Sequence, residues 1–231
     1  MLKTGHFTGI LDSAHPTTLI LHSFKALSLK KTRSSHPRRP DSKTASAAGK
    51  QQLRIIGGQW RGRQLTFTSA EGLRPTGDRI RETLFNWLMP DLPGAHCLDA
   101  FSGSGALGLE ALSRGAKSAV LIEMNKTAAH QIRENLSLLG CEQAKVERSS
   151  SLLWLAQQPV EPFDVVFLDP PFQQDLWAET IDLLERRDWL NEGAAIYIET
   201  PKHLILEIPL SWNLHREKHA GDVSYRLYYH Q

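Results

Sequence analysis

From residue 96 onward, short apolar runs alternate with longer segments of helical periodicity. The run at 164–168 is the kind of sequence that forms a strand buried on both faces of a sheet. In the helical segments apolar residues recur every three or four positions, as Ala128, Ile132 and Leu136 do. The pattern predicts strands at 96–101, 118–123, 144–149, 164–169 and 194–199, and helices at 104–114, 125–139, 152–158 and 174–187. Such alternation predicts a largely parallel α/β sheet.

The chain after this region predicts a terminal hairpin. Residues 212–218 and 223–229 are strand-like and flank Ala220-Gly221-Asp222, a turn sequence. A closing hairpin would add antiparallel strands to the parallel sheet. The predicted α/β domain, residues 94–231, ends with this hairpin.

A smaller unit, residues 51–93, precedes the α/β region. Leu53–Ile56 and residues 59–65 flank Gly57-Gly58, which predicts a hairpin with a tight turn. A helix over 78–88 follows, with Thr76 or Asp78 as the expected cap and its apolar face toward the sheet edge near the ligand.

Residues 1–50 are rich in Ser, Thr, Pro, Lys and Arg and predict a disordered basic segment. Their one apolar cluster, Thr17–Leu29, is too short to span a bilayer and lacks the features of a secretory signal. One interpretation is a basic arm that contacts RNA. The other is a segment without function, either a tail or an upstream extension that natural translation does not include. We favour the second interpretation.

Composition places the chain among globular proteins. Its 231 residues suit one domain with appendages. Cys97 and Cys141 have no metal-like spacing and predict free thiols in a reducing compartment, so we expect a cytoplasmic protein. The ten His residues form no ligand motif, so we expect no metal site. We also expect a monomer without a membrane partner.

The small net charge of +2 hides an asymmetry. Residues 1–50 carry nine basic and two acidic residues, 51–82 carry six and three, and 83–231 carry twelve and twenty. Basic charge on the amino-terminal side of an acidic body indicates a polyanion bound at one end.

The segment Asp99–Gly108 is a glycine-rich link between a strand and a helix. Gly103, Gly105 and Gly108 match G-x-G-x-x-G, a pattern that dinucleotide oxidoreductases also show. Asp99 would repel a pyrophosphate at the helix amino terminus but attract a cation. S-adenosylmethionine carries a sulfonium and an ammonium group, so Asp99 favours it as the ligand.

Further residues complete the expected donor site. Glu123 ends the next strand and could accept hydrogen bonds from both ribose hydroxyls. Met124 could pack on the adenine face, and Ser150 or Ser151 could bind the adenine edge, although serines at this place are often only helix caps. The predicted cofactor-binding residues are Thr76, Arg79, Asp99, Phe101, Gly103, Gly105, Glu123, Met124, Ser150, Ser151 and Asp169.

The strand at 164–168 ends in Asp169-Pro170-Pro171-Phe172. Proline restricts the backbone before it, so Asp169 and the Pro170 carbonyl should be held stiffly at a carboxyl strand end, where open α/β sheets bind ligands. A charged acceptor, a rigid carbonyl and an aromatic face suit a planar base with an exocyclic amine. Asp169, Pro170 and Phe172 are the predicted catalytic residues, and a plain turn is the alternative.

Arginines and a tryptophan are interleaved around the first hairpin. Arg54, Arg61 and Arg63 with Trp60 combine cations for phosphate with a ring for stacking. We predict that they bind RNA together with Arg74; a solvated edge hairpin is the alternative.

From about Leu53 to Tyr229 the chain resembles the RsmD family of bacterial methyltransferases. The likeness lies in Leu53–Arg63, Arg74-Pro75-Thr76 with Asp78-Arg79 and Arg81-Glu82, the glycine loop, Glu123, and Asp169-Pro170-Pro171-Phe172. The resemblance implies a class I S-adenosylmethionine-dependent methyltransferase fold with a mostly parallel seven-stranded sheet. It also implies methylation of N2 of guanine 966 in 16S ribosomal RNA, within the 30S subunit or its assembly intermediate. Residues 1–50 have no counterpart, and Ser150 stands where relatives tend to carry Asn or Asp.

Three other functions are compatible with parts of the pattern. Amino-methyltransferases acting on adenine N6 of DNA or on protein glutamine usually carry Asn before Pro-Pro, where this chain has Asp169. A dinucleotide oxidoreductase is disfavoured by Asp99 and by the lack of a second substrate domain. A non-catalytic RNA-binding assembly factor is disfavoured by the intact donor and acceptor residues.

Overall fold

The structure, a computed structural model, describes residues 50–68 and 77–231. The strands are β1 (Lys50–Arg54), β2 (Gln64–Thr68), β3 (His96–Asp99), β4 (Ser118–Ile122), β5 (Ala144–Glu147), β6 (Phe163–Leu168), β7 (Leu190–Pro201), β8 (Trp212–Ala220) and β9 (Val223–His230). The helices are α1 (Asp78–Trp87), α2 (Ala106–Ser113), α3 (Lys126–Leu139), α4 (Ser151–Leu155) and α5 (Trp177–Arg186), with a 3₁₀ turn at Phe172–Gln174. Within the described part of the chain, no helix has both the length and the apolar character needed to cross a bilayer.

Seven strands form the main sheet in the order β5-β4-β3-β6-β7-β9-β8. The pairings from β5 through β7 are parallel, whereas β9 is antiparallel to both β7 and β8. This confirms the predicted parallel sheet with an antiparallel terminal hairpin. From β3 the chain proceeds outward in one direction and from β6 in the other, so the topological switch point lies between these strands. Ligands of open α/β sheets bind at such a point.

Alternate residues of the central strands face two hydrophobic cores. On β6, Val165 and Phe167 join the core under α1, α2 and α3, while Val166 and Leu168 join the core under α4 and α5. The buried run at 164–168 therefore arises because helices cover both faces of the strand. The hairpin β1–β2 shares the first core through side chains such as Leu53.

The predicted tight turn at Gly57-Gly58 is wrong, although the hairpin exists. Arg54 pairs with Gln64, so a nine-residue connection, 55–63, joins the two strands. Gly58 has a φ of +73°, and a Cβ there would lie 1.7 Å from the carbonyl oxygen of Ser113. The glycine permits close contact with the end of α2 instead of a reversal of the chain.

The predicted ends of α3 are confirmed, because nearby residues in the sequence cap both of them. Asn125 caps α3 by accepting from the backbone N–H groups of Thr127 and Ala128, and Gly140 ends it in the left-handed conformation. Helix α1 begins after Gly77 without a side-chain cap, so the proposed capping role of Asp78 is wrong. Thr76, the other proposed cap, lies outside the described residues.

Candidate active site

Three carboxylates lie at the carboxyl ends of three adjacent strands. Asp99 is the last residue of β3, Glu123 follows β4, and Asp169 follows β6. Because β4 and β6 flank β3 in the sheet, the topology brings the three predicted residues to the same edge, at the switch point.

The glycine loop owes its shape to three different glycines. Gly103 and Gly105 have φ values of +52° and +80°, which L side chains rarely adopt. At Gly108, a Cβ would lie 2.9 Å from Leu121 and 3.2 Å from Oδ2 of Asp99. The first two glycines therefore serve the turn, and the third serves close packing of α2 on β3 and β4.

Asp99 is a buried carboxyl group rather than an exposed charge, with 2% of its surface accessible. Its Oδ2 accepts a hydrogen bond of 2.9 Å from the backbone N–H of Gly108. Burial raises its pKa to about 7, and the charges of Asp169 and Glu123 act in the same direction. Burial thus favours the neutral form of this carboxyl group, and a bound cation would favour its ionised form.

Glu123 organises the glycine loop as well as facing the predicted ribose position. Its Oε2 accepts from the backbone N–H of Gly103 at 2.8 Å, and its Oε1 accepts from Asn125 N–H at 2.6 Å. Burial raises the pKa of the half-buried carboxyl group, while these two hydrogen bonds lower it. Each oxygen retains a lone pair for a ligand.

The residues predicted around the adenine differ in their environments. Met124 is 65% exposed next to Glu123. The buried hydroxyl of Ser151 donates to the carbonyl of Ala100, so its proton is used within the protein. Ser150 is half-buried at the start of α4 and makes no capping hydrogen bond. Phe101, also half-buried, packs against the second core.

A buried tryptophan, Trp177, fixes the segment Asp169-Pro170-Pro171-Phe172, which we call the acceptor segment. Asp169 and Phe172 are half-buried and Pro170 is buried. The Phe172 ring packs on Trp177 with centroids 5.6 Å apart, and Trp177 Nε1 donates to the carbonyl of Glu199 at 2.8 Å. The end of β7 therefore supports the turn that follows β6.

A polar pair behind Asp169 was missed from the sequence. The buried hydroxyl of Tyr197 donates to the carboxylate of Glu199 at 3.1 Å. Burial raises the pKa of Tyr197, and the charges of Glu199 and Asp169 raise it further. The position of Glu199 at the end of a predicted strand was the available signal, since it places the side chain at the ligand edge.

The predicted RNA-binding residues lie away from these carboxylates. Arg54, Arg61 and Arg63 are exposed, and half-buried Trp60 belongs to the connection 55–63. The backbone N–H of Trp60 donates to Ser113 Oγ at 3.0 Å, which fixes this connection at the carboxyl end of α2. Helix α2 begins near the carboxyl ends of the strands, where the ligand is expected, and extends about 12 Å along its axis toward their amino ends. The structure therefore does not bring these arginines together with the acceptor segment.

Two further predicted residues belong to the segment around α1. Arg79 is exposed in the first turn of α1. Arg74, like Thr76, lies outside the described residues.

A buried glutamate attaches the amino-terminal hairpin to α2. Fully buried Glu110 accepts from the backbone N–H groups of Ile56 and Gly57 at 2.8 and 2.7 Å, and from Arg114 Nε at 2.7 Å. Arg81 Nη1 lies 3.8 Å from it. Glu110 was missed from the sequence. Its i,i+4 spacing from Arg114 was an available signal, but such pairs also occur on exposed helix faces.

Buried Arg81 extends this network to α1 and β1. Its Nη2 donates to the Arg54 carbonyl at 3.0 Å and to the Asp78 carboxylate at 2.6 Å. Asp78 thus pairs with Arg81 instead of capping the helix.

Metal-binding features are absent from residues 50–68 and 77–231, where no group of three potential ligands occurs. Cys97 is buried and Cys141 is half-buried, and neither forms a disulfide.

Comparison with known proteins identifies the family. A family described as Conserved hypothetical protein 95 matches residues 53–229. The Escherichia coli K12 protein named Ribosomal RNA small subunit methyltransferase D is 52% identical over 187 residues, covering 80% of this chain and 94% of that protein. The Haemophilus influenzae protein of the same name is 53% identical over 188 residues, covering 80% and 96%. A solved structure of the putative methyltransferase yhhF from Escherichia coli superposes with a TM-score of 0.74 at 50% identity, covering 78% of this chain and 99% of that one. The chain belongs to the RsmD family and has the class I methyltransferase fold.

Proposed function

We propose that this protein transfers a methyl group from S-adenosylmethionine to the exocyclic N2 of a guanine in 16S ribosomal RNA, at the position that the family resemblance implies, guanine 966. The observation that carries the proposal is the junction of Asp169-Pro170-Pro171-Phe172 with the glycine loop at one sheet edge. The relatives named Ribosomal RNA small subunit methyltransferase D support ribosomal RNA as the substrate. None of those names supports DNA, protein glutamine or a non-catalytic role.

The donor-site residues fit S-adenosylmethionine. The remaining lone pairs of Glu123 suit the hydroxyls of an adenosine ribose, and the buried carboxyl of Asp99 suits a cationic ligand better than a phosphate. When bound, S-adenosylmethionine supplies a methyl group activated by its positive sulfur. Met124 and Ser150 are the proposed adenine contacts, and Thr76, Arg79, Phe101, Ser151 and Gly105 complete the proposed set.

Asp169 and Pro170 supply hydrogen-bond acceptors for the guanine amine. The lone pair of this nitrogen is delocalised into the ring, so its reaction depends on orientation and on stabilising the positive charge that develops on it. The Asp169 carboxylate and the Pro170 carbonyl do both by accepting its N–H groups. Phe172 stacks on the base, which must leave its RNA helix to enter.

The arginines of the hairpin make a second, remote contact with RNA. Arg54, Arg61 and Arg63, with Trp60 and Arg74, belong to the basic segment before an acidic body. Their distance from the acceptor segment suits a substrate as large as the 30S subunit, bound by a monomer in the cytoplasm. The proposed chemistry requires no metal.

Single-turnover methylation of 30S subunits with labelled S-adenosylmethionine tests this proposal. Asp169→Ala should lower the rate at saturating RNA and S-adenosylmethionine by about a hundredfold or more, the scale of a lost transition-state hydrogen-bonding group. Arg61→Ala with Arg63→Ala should instead raise the RNA half-saturation and leave the saturated rate intact.

Two results would contradict the proposal. A near-normal rate in Asp169→Ala would reduce the Asp-Pro-Pro-Phe segment to a structural turn. Transfer to naked DNA or to protein, with none to the RNA of 30S subunits, would assign the site to one of the alternative substrates.

A further inference from the structure

A cleft of about 820 Å³ opens beside Phe172. One wall is the turn after β6, and the others are the turns after β7 and between β8 and β9. Phe172, Pro201 and Val223 contribute apolar surface, and Lys202, His203 and Asp222 contribute polar groups. Its volume falls within the range of about 300–1,000 Å³ that is typical of ligand sites.

Hydrogen bonds fix the walls of this cleft relative to one another. Trp177 packs on Phe172 and donates to the carbonyl of Glu199, two residues before Pro201. On the other side, the backbone N–H of Lys202 donates to the carbonyl of Asp222 at 2.7 Å. The cleft is therefore preformed by the fold, which lowers the entropic cost of binding.

We propose that this cleft binds the nucleotide that neighbours the flipped guanine in the RNA chain, a role that rests on the proposed function. Phe172 belongs both to the acceptor segment and to the cleft, so the two sites are continuous. A guanine held at Asp169 requires its adjoining nucleotide to leave through a neighbouring channel, and this cleft begins at the residue that holds the base.

The chemistry of the lining matches one single-stranded nucleotide. Lys202 and His203 are exposed at the opening and present cationic or N–H groups to a phosphate. Pro201 and Val223 offer apolar contact to a ribose or an unstacked base. Asp222 is the one acid of the lining, and its carboxylate can accept a hydrogen bond from a ribose 2′-hydroxyl, the group that distinguishes RNA from DNA.

Local charge supports this occupant. Residues 83–231 carry twelve Lys or Arg and twenty Asp or Glu, so the ammonium group of Lys202 beside the acceptor segment stands out against an acidic body. Nothing in the chemistry proposed for the donor site uses Lys202 or His203.

The test compares Lys202→Ala/His203→Ala with a matched control, His130→Ala/Lys145→Ala. The control removes the same two residue types from exposed positions on α3 and β5. Strand β5 is an outer strand, on the side of the sheet opposite to β8 and β9. Methylation is measured on 30S subunits from cells that lack the enzyme, at several salt concentrations, and S-adenosylmethionine binding is measured by calorimetry.

The cleft variant should raise the RNA half-saturation by about tenfold or more and flatten its salt dependence, because charge-assisted phosphate contacts are lost. Its saturated rate and its affinity for S-adenosylmethionine should match the control. An RNA half-saturation equal to that of the control, with wild-type activity present, would overturn the cleft assignment alone. Absence of wild-type transfer to 30S subunits would overturn the proposed function and this inference together.

Discussion

Glu123→Ala is the perturbation that tests the donor site most directly. The carboxylate accepts backbone N–H groups from Gly103 and Asn125 at 2.8 and 2.6 Å, and it is the proposed acceptor for the ribose hydroxyls. Hydrogen bonds to a charged group contribute roughly 1.5–3 kcal/mol each. Loss of one such bond to the ligand weakens donor binding by about ten- to 150-fold.

A thermodynamic cycle separates ribose contact from loop support. Calorimetry would measure S-adenosylhomocysteine and its 2′-deoxy analogue against wild type and Glu123→Ala. If Glu123 binds the hydroxyl, wild type should prefer the ribose form, and the variant should lose most of that preference. Glu142→Ala, which removes an exposed carboxylate between α3 and β5, is the control for net charge.

Additive losses in this cycle would refute the ribose assignment. In that case the variant would bind both ligands more weakly by the same factor, and Glu123 would act only by holding Gly103 and Asn125. An unchanged dissociation constant for the ribose form would reject both roles.

Two other carboxylates give predictions for the folded protein. Because burial raises the pKa of Asp99 from 3.8 to about 7, its contribution to stability is present below pH about 4 and is lost as the pH rises to about 7. In urea denaturation, the unfolding free energy of Asp99→Asn should therefore rise relative to that of wild type as the pH increases across this window. The relative rise should be at most about 4 kcal/mol, at 1.36 kcal/mol per pKa unit. A difference in unfolding free energy that stays constant with pH would contradict the raised pKa of Asp99. Glu110→Ala leaves two backbone donors and the buried Arg81 without their carboxylate partner, so it should cost about 3–5 kcal/mol of unfolding free energy, whereas exposed Glu134→Ala should cost less than about 1 kcal/mol. A Glu110 loss as small as that of Glu134 would show that the hairpin is held mainly by apolar packing.

The architecture could be predicted because its signals are local and repeated. Strand-like segments that alternate with helical periodicities specify a parallel sheet, and Asn125 and Gly140 mark the ends of α3 through contacts within four residues. The positions of Asp99, Glu123 and Asp169 followed as well, since strand ends of a parallel sheet meet at one edge.

The features that could not be predicted depend on distant parts of the chain. Gly57-Gly58 has the composition of a tight turn, but its conformation is set by the backbone of Ser113, over fifty residues later. The position of Asp99 at the end of β3 could be predicted, but its burial, which raises its pKa, depends on how α2 and β4 pack around it. The burial of Glu110 likewise follows from a hairpin that folds over α2.

The carboxylates of the active site restrict how RNA can approach it. Asp99, Glu123 and Asp169 concentrate acidic groups at the edge where a nucleotide must enter, so phosphate is disfavoured there. Arg61 and Arg63 belong to a connection held at the far end of α2, about 12 Å from the glycine loop, whereas exposed charges are screened over about 8 Å at physiological ionic strength. These arginines can increase the affinity for a large RNA but cannot offset repulsion at the acceptor segment. The Lys202 ammonium can, because it lines the cleft beside Phe172, and the neighbouring His203 adds a ring N–H donor. A neutral base would then enter among the carboxylates while its phosphates stay outside, at the cleft.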